Sequence, residues 1–420
     1  MAALYRAMLP GIDWHDALFR GEYGVACAEI EDRGIPVDAG RIGVLVNRWV
    51  DVRLAAAVIA STRMRFAIYG GPTGTAFSYR RCEEYLRRVR LLDVWPRTAS
   101  GRLQVDDDTL KLWATRHDDL DALRQARRTM SMIHPSRIRV GADGRCRTPV
   151  RPFAATTGRN QPKAQTPLAF PSWMRATLVG PLVVLDYAQQ EFALAAVLSG
   201  DPAMLQAYRS GDAYLALAIQ CGALESGSVR GSSHVEAVRE QYKTASVAIM
   251  YGVSVWGLSN ILGVTEHKAY AIMLAHRRTY PRFWQWVDEV GTTGEFGGVM
   301  TTSRGWRVDT SKMGERSIRN WPVQSCAGDI LRLATVIARR RGIRIVALVH
   351  DSLIVEPGRG QTLMEVADLT KGIMISAGEA VAGITLRVDV KELERGERFF
   401  KNDKARAWWG DVWRRLGYAP

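Results

Sequence analysis

Arg344-Ile345-Val346-Ala347-Leu348-Val349-His350-Asp351-Ser352-Leu353-Ile354-Val355-Glu356 is an apolar run, a polar corner and a second apolar run. That pattern is two buried strands joined by a tight turn. Upstream, Leu182-Val183-Val184-Leu185 is another short continuous apolar run, and it ends in Asp186. Between the two, residues 190–290 carry helical periodicity. A helix (365–380), a strand (384–390) and a Trp-rich amphipathic tail follow the hairpin. Strands separated by whole helical blocks yet contributing to one core predict an α+β architecture with helical appendages. The two strand systems also present two carboxylates, Asp186 at a strand end and Asp351 in the turn. Either alone is more often structural. Together on one sheet they suit Mg²⁺, which takes one or two protein carboxylates and completes its octahedron with water and substrate phosphates. Two such ions roughly 3.5–4 Å apart serve an in-line phosphoryl displacement.

N-terminal to the sheet, residues 41–65 read as a helix, with Leu45, Val46, Trp49, Val50 and Val52 near one face. The Gly/Pro-rich stretch 70–74 breaks it. A basic helix over 79–90 follows, carrying Arg80, Arg81, Arg87, Arg88 and Arg90, then helices through 106–117 and 119–132. The block 41–135 therefore reads as all-helical and Arg-rich. Ile138, Val140 and Ala142-Asp143-Gly144 read as a hairpin. No internal repeat or low-complexity linker is evident.

The 420 residues are 47% hydrophobic and 24% charged, which excludes a mostly disordered chain. Lys plus Arg number 57 against 43 Asp plus Glu, a net charge of +14 that suits a polyanionic partner. The five cysteines, 27, 82, 146, 221 and 326, form no CxxC pair and fit neither a zinc site nor a disulfide framework, so a cytoplasmic location is expected. Asp13 and Asp16 interrupt any secretory signal core. The uncharged run Thr244–Thr265 holds three Gly and Asn260 and reads as a buried helix pair, with no membrane association expected.

A second constellation lies on the helix before that run. Steps of four residues rotate by about 40°, so Arg239, Lys243, Val247 and Tyr251 form one slowly turning stripe roughly 18 Å long. Cations at one end and an aromatic at the other suit a nucleoside triphosphate. Taken alone, an ordinary helix with a charged face is an equal reading.

Asp186-Tyr187-Ala188-Gln189-Gln190-Glu191, running to Leu198-Ser199-Gly200-Asp201, resembles motif A of the family A DNA polymerases, the bacterial DNA polymerase I group. Arg239-x3-Lys243-x7-Tyr251-Gly252 resembles motif B, and Leu348-Val349-His350-Asp351 resembles motif C. Thr157-Gly158-Arg159 resembles the segment that contacts the primer end. Arg316, Asn320 and Gln324 resemble the helix that contacts template and minor groove. Arg33-Gly34-Ile35-Pro36-Val37-Asp38 is similar to the start of that family's polymerase region. The match runs from roughly 25 to 400, with its motifs in order.

The resemblance implies a right-hand polymerase with an antiparallel-sheet palm and largely helical thumb and fingers. The palm would comprise 1–40, 141–204 and 313–420, the thumb 41–140 and the fingers 205–312. Asp186 and Asp351, grouped with Tyr187, would hold two Mg²⁺ ions, with Mn²⁺ as a substitute. Arg239 and Lys243 would hold the triphosphate, and Lys243 would protonate the departing pyrophosphate. Tyr251 would pack at the templating position. Val247 and Gln190 would complete the nucleotide site, and Glu191 would fill the space of a ribose 2′-hydroxyl. Arg159, His350, Gln324, Asn320 and Arg316 would touch primer and template. Primer–template DNA and deoxynucleoside triphosphates are the implied partners, with accessory replication or repair proteins beside them. Because the resemblance starts at the polymerase region, proofreading is not expected.

Departures from the family pattern are specific. Ser246-Val247-Ala248 stands where Asn-Phe-Gly is usual, Ala188-Gln189-Gln190 where Ser-Gln-Ile is usual, and Ser352 where a Glu follows the motif C Asp. The last removes an accessory acid and neither principal metal ligand. Single-subunit RNA polymerases share the motif B spacing and a His-Asp-Ser motif C, but Glu191 is the residue expected to exclude ribonucleotides. A catalytically inactive primer–template binding protein is the other alternative. Retention of both Asp residues, Arg239, Lys243 and Tyr251 argues against it.

Overall fold

The computed structural model describes residue 9 and residues 12–98, 100–114, 117–161 and 166–419. Residues 115 and 116 of the expected 106–117 helix, and the extreme ends of the expected 1–40 and 313–420 segments, lie outside these. The chain divides into two compact units. One comprises Met1–Asp32, Pro149–Pro162 and Leu182–Glu392; the other comprises Arg33–Thr148, Lys163–Pro181 and Leu393–Pro420.

The first unit is built on a four-stranded sheet. In chain order its elements are helix α1 (Trp14–Arg33), strand β1 (Leu182–Tyr187), helices α2 (Gln190–Ser199), α3 (Pro202–Arg209), α4 (Ala213–Gln220), α5 (Ser233–Met250), α6 (Val255–Leu262), α7 (Glu266–Thr279) and α8 (Pro281–Gly297), a small β2–β3 hairpin (Val299–Thr301, Arg307–Asp309), helix α9 (Glu315–Arg340), strands β4 (Arg344–Val349) and β5 (Ser352–Glu356), helix α10 (Leu363–Ala382) and strand β6 (Val388–Leu393). The sheet order is β6-β1-β5-β4, with β1 and β4 both antiparallel to β5. Continuous apolar runs form β1 and β4 because both strands lie inside, covered by α9 and α10. Leu185 opposite Leu353 is representative. Both side chains are fully buried, and truncating either to Ala would cost about 2–5 kcal/mol.

The turn from β1 into α2 passes through Gln189, a non-glycine residue at φ 56°. Gly200 stops α2 in the same left-handed region, where glycine carries no Cβ penalty. Asp201 then caps α3, accepting the Ala203 and Met204 N–H groups at 3.0 Å each. Asp212 caps α4 in the same way through the Tyr214 and Leu215 N–H groups. Short capped helices therefore follow the strand in quick succession, which explains the expected helical reading of 190–290. The acids of α1 are engaged in the fold: Glu29 pairs with Arg339 at 2.6 Å, and Glu31 accepts the Val150 N–H at 2.5 Å.

The second unit is mainly helical: Ala39–Asn47, Trp49–Met64, Tyr79–Arg88, Asp107–Trp113, Asp118–Ser131 and Asp403–Arg415. Trp173, Trp408, Trp409 and Trp413 are fully buried in it. Arg41 lies over the Trp413 ring at 4.2 Å and Arg63 over Trp408 at 5.0 Å.

Local departures from expectation have local causes. The expected 41–65 helix is two helices, because Arg48 leaves helical geometry at φ −116°, ψ 30°. The 70–74 stretch is the loop of a hairpin pairing Tyr69–Gly70 with Ala76–Phe77, so the block 41–135 is not all-helical. The basic helix stops at Arg88 rather than 90. Strand 384–390 begins instead at Val388, since the Arg387 N–H is given to the Tyr208 hydroxyl. Leu393–Pro420 cluster with the helices of 41–140, not with the rest of 313–420. The Thr244–Thr265 run spans the end of α5 and all of α6. Among the described residues no helix is long and apolar enough to cross a membrane.

Candidate active site

Sheet register brings the two carboxylates together. Asp186, next to the end of β1, faces Ser352 at the start of β5, and His350-Asp351 form the corner before it. His350 turns the chain at φ 54°. The Asp351 carboxyl lies against that of Asp186. Burial pushes it above the usual carboxylate range, and the charge of Asp186 and the hydrogen bond between the two groups raise it further. The Ser352 hydroxyl donates to Asp186 Oδ1. Two half-buried carboxylates in contact repel unless they share a proton or a cation. The donor atoms are all hard oxygens, which fits Mg²⁺ or Mn²⁺. Among the described residues no group of three or more His, Cys, Asp and Glu forms, so a zinc-type cage is not built there. The side chain of Tyr187 faces away from this pair. It is 2% exposed and gives its hydroxyl to the Met374 carbonyl at 2.6 Å, leaving only its main chain for the role expected of it.

Helix α5 carries Arg239, Lys243 and Val247, and Tyr251 caps its C-terminus. Arg239 is largely buried and donates Nε–H to Asp212 Oδ2 at 2.5 Å. Burial raises the Asp212 carboxyl, but the Arg239 hydrogen bond and the Leu215 and Tyr214 N–H groups outweigh it and hold the group below its ordinary value. Lys243 is half-exposed and pairs with Glu240 at 3.1 Å. Val247 is 41% exposed, Tyr242 is buried at 7%, and Trp256 is 58% exposed.

Glu191, the second residue of α2, joins three elements. Tyr251 donates its hydroxyl to Glu191 Oε2 at 2.6 Å, Arg159 approaches Oε1 at 3.5 Å, and Gln324 Nε2 donates to the Tyr251 hydroxyl at 3.4 Å. Burial pushes the Tyr251 phenol up, and its bond to Glu191 pushes it further. Arg316 donates to the Gly252 carbonyl at 3.0 Å, and Asn320 to the Arg316 carbonyl at 2.8 Å. Glu191, Tyr251, Asn320 and Gln324 also line one small cleft. Gln190 does not join them: it is 2% exposed, with its amide sequestered from solvent and without a protein partner, so this conformation does not offer it to a nucleotide.

Sequence reading missed the supports of these residues. Asp212 carried no signal beyond a helix cap. Arg332 donates to the Gly158 carbonyl at 2.6 Å and is ion-paired with Asp329, both nearly fully buried. Trp306 and Trp321 both donate to the Thr156 carbonyl, at 2.9 and 3.0 Å. Gly158 sits at φ 71°, and a Cβ there would lie 2.9 Å from the Trp306 ring, so only glycine fits the loop that presents Arg159.

The sheet thus brings two carboxylates together, one on β1 and one at the β4–β5 corner, and the same unit carries the α5 cations Arg239 and Lys243. The sequence profile of DNA polymerase family A matches residues 91–395, and the chain belongs to that family. It is 27% identical over 287 residues to the thermostable DNA polymerase I of Thermus thermophilus, covering 62% of this chain and 33% of that protein. It is 30% identical over 208 residues to DNA polymerase I of Deinococcus radiodurans, covering 46% and 21%. The chain thus aligns with a third or less of the length of these relatives. In fold it matches the polymerase domain of Pol1 from M. smegmatis, solved in complex with DNA primer–template and dNTP. The TM-score is 0.69 at 23% identity, over 89% of this chain and 69% of that one.

Proposed function

We propose that this protein is a template-directed DNA polymerase that extends a primer with deoxynucleoside triphosphates by two-metal phosphoryl transfer. The observation that carries the reading is the register that sets Asp186 of β1 opposite Ser352, and so beside Asp351 at the β4–β5 corner, in a chain of this family. The sheet of the first unit would serve as palm and α4–α8 as fingers. The helices of 41–140 in the second unit would serve as thumb. Asp186 and Asp351, with the Tyr187 main chain, would hold Mg²⁺ or Mn²⁺. Bound there, the cations would neutralise charge on the transferring phosphate and lower the pKa of the attacking hydroxyl.

The chain's own residues supply the rest. Arg239 and Lys243 would exchange Asp212 and Glu240 for the triphosphate oxygens, and Lys243 would give its proton to the leaving pyrophosphate. Tyr251 would stack at the templating position. Arg159, His350, Gln324, Asn320 and Arg316 would contact primer end and template, where minor-groove acceptors report pair geometry more than sequence. Such a site works by positioning and charge, with no protein nucleophile. Extension of a labelled primer–template tests the proposal. Incorporation of deoxynucleotides supports it, preference for ribonucleotides would favour the RNA polymerase reading, and binding without incorporation would favour an inactive protein.

Affinity for DNA should be sequence-independent and steeply salt-dependent. Some arginines are used internally, as Arg81 is on the Tyr69 carbonyl, but Arg80 remains exposed. Neutralising ~6 phosphates would lose roughly three decades of affinity between 50 and 200 mM salt. Fluorescence anisotropy with two unrelated duplexes checks this, and a flat series would count against the basic block as a DNA surface.

Val247 lies between the triphosphate cations and Tyr251, where the family usually places an aromatic ring. Of the neighbouring aromatics, Tyr242 is turned into the core. Val247→Phe is therefore expected to add part of a stacking interaction worth about 1–3 kcal/mol. The nucleotide KM should fall and mispair discrimination should improve in steady-state incorporation. No gain in either would mean that the pocket is closed by another group.

A further inference from the structure

We propose that Arg387 is a positioning residue for nucleotide use: it fixes the corner at Gln189 and, through it, the Asp212–Arg239 pair. The inference rests on the polymerase reading above. Arg387 lies just before β6, half-buried, outside every motif singled out in the sequence. Both prongs of its guanidinium are committed. One donates to the Tyr208 carbonyl at 2.6 Å and the other to Gln189 Oε1 at 2.8 Å, while the group lies over the Tyr208 ring at 4.2 Å. Its main chain is committed too. The N–H donates to the Tyr208 hydroxyl at 2.9 Å, and the carbonyl accepts the Ala188 N–H at 2.9 Å. One residue thus joins the end of α3 to the turn between β1 and α2.

That turn determines where the site residues point. Gln189 holds a left-handed φ of 56°, a conformation disfavoured for residues with a Cβ, so it persists only if its surroundings impose it. Asp186 lies three residues before it on the paired strand and Glu191 two after, so the direction of Glu191 relative to the carboxylate strand depends on this corner. Gln189 Oε1 also accepts the Ala213 N–H at 3.3 Å. Ala213 follows Asp212, whose Oδ1 caps α4 and whose Oδ2 holds Arg239. A single amide oxygen therefore links the carboxylate strand, the Glu191 helix and the helix start that orients Arg239. Arg387 touches neither nucleotide nor metal ligand in this scheme. It acts through Gln189, and the planar fork of arginine is what lets it reach two acceptors at once.

Single-nucleotide incorporation by the full chain at saturating primer–template, with melting followed by circular dichroism, tests this in Arg387→Ala, Arg387→Lys, Gln189→Ala and the Arg387→Ala/Gln189→Ala double variant. Losing the charge-assisted bond should raise the nucleotide KM and lower deoxy-over-ribo discrimination, each roughly tenfold in Arg387→Ala, with DNA affinity unchanged. Lysine should give an intermediate value. The double variant should be no worse than the more impaired single, because both changes remove one contact. A folded Arg387→Ala with wild-type KM and discrimination overturns the assignment, as do additive effects in the double. Should Arg387→Ala not fold, Arg387→Lys decides alone: normal melting with raised KM supports the role, and unchanged KM overturns it. A wild-type chain that incorporates nothing overturns the polymerase reading itself, whereas an active wild type beside an unaffected variant overturns only Arg387.

Discussion

Asp186→Asn and Asp351→Asn are each expected to reduce primer extension by at least about a thousandfold, the equivalent of some 4 kcal/mol of transition-state stabilisation. Each removes half of a two-carboxylate site, and among the described residues no third acid completes a cluster that could take its place. Ser352 does not substitute, since its hydroxyl is spent on Asp186 Oδ1. Primer–template affinity should survive, because the cations expected to hold DNA lie elsewhere. The same variants carry a control for folding. Burial and the facing Asp186 charge raise the Asp351 carboxyl in the folded state, so its ionised form opposes folding above its unfolded pKa. An amide removes that repulsion while keeping the shape. The melting temperature at neutral pH should therefore rise in Asp351→Asn as activity disappears. Extension within tenfold of wild type by either variant would refute the metal assignment. A sharp fall in melting temperature would mean that the pair holds the hairpin together.

What could be read in the sequence is what depends on period and adjacency. β1 with Asp186 next to its end and the His350-Asp351 corner were legible because a buried strand is an unbroken apolar run and a turn needs polar residues. The stripe from Arg239 to Tyr251 was legible because helical spacing is fixed. The supports were not. Asp212 is 27 residues from Arg239, Arg332 is 174 from Gly158, and Arg387 is 198 from Gln189. Nothing local distinguishes an arginine that clamps a distant carbonyl from one that faces water. The unit boundaries were obscured for the same reason. The Trp-rich tail reads as an amphipathic helix wherever it packs, and only contacts such as Arg63 over Trp408 and Arg41 over Trp413 place it among the 41–140 helices. Gln190 shows the opposite case: the resemblance in motif A implied a nucleotide contact, but successive residues entering a helix point about 100° apart, and this one points inward.

Glu191→Ala is expected to lower discrimination against ribonucleotides roughly ten- to hundredfold. If the carboxylate fills the volume a 2′-hydroxyl would need, admitting that oxygen means overpacking an occupied space, which costs about 1–3 kcal/mol. The structure adds a reason for the rigidity of that block. Glu191 is fixed by the Tyr251 hydroxyl at 2.6 Å, which in turn accepts from Gln324. Tyr251→Phe keeps the carboxylate but frees it to rotate, so it should loosen sugar selection less than Glu191→Ala does, and Gln324→Ala less again. The ordering matters more than the absolute values, because it follows the chain of hydrogen bonds outward from the blocking group. It also separates two roles of Glu191. As a steric block, its loss raises ribonucleotide efficiency and leaves deoxynucleotide KM nearly unchanged. As an anchor for Tyr251, its loss raises deoxynucleotide KM as well, by the worth of one charge-assisted hydrogen bond, about 1.5–3 kcal/mol. Competition between labelled deoxy- and ribonucleotides on one template measures both. Discrimination unchanged in Glu191→Ala would place sugar selection outside this contact and leave Glu191 as an anchor alone.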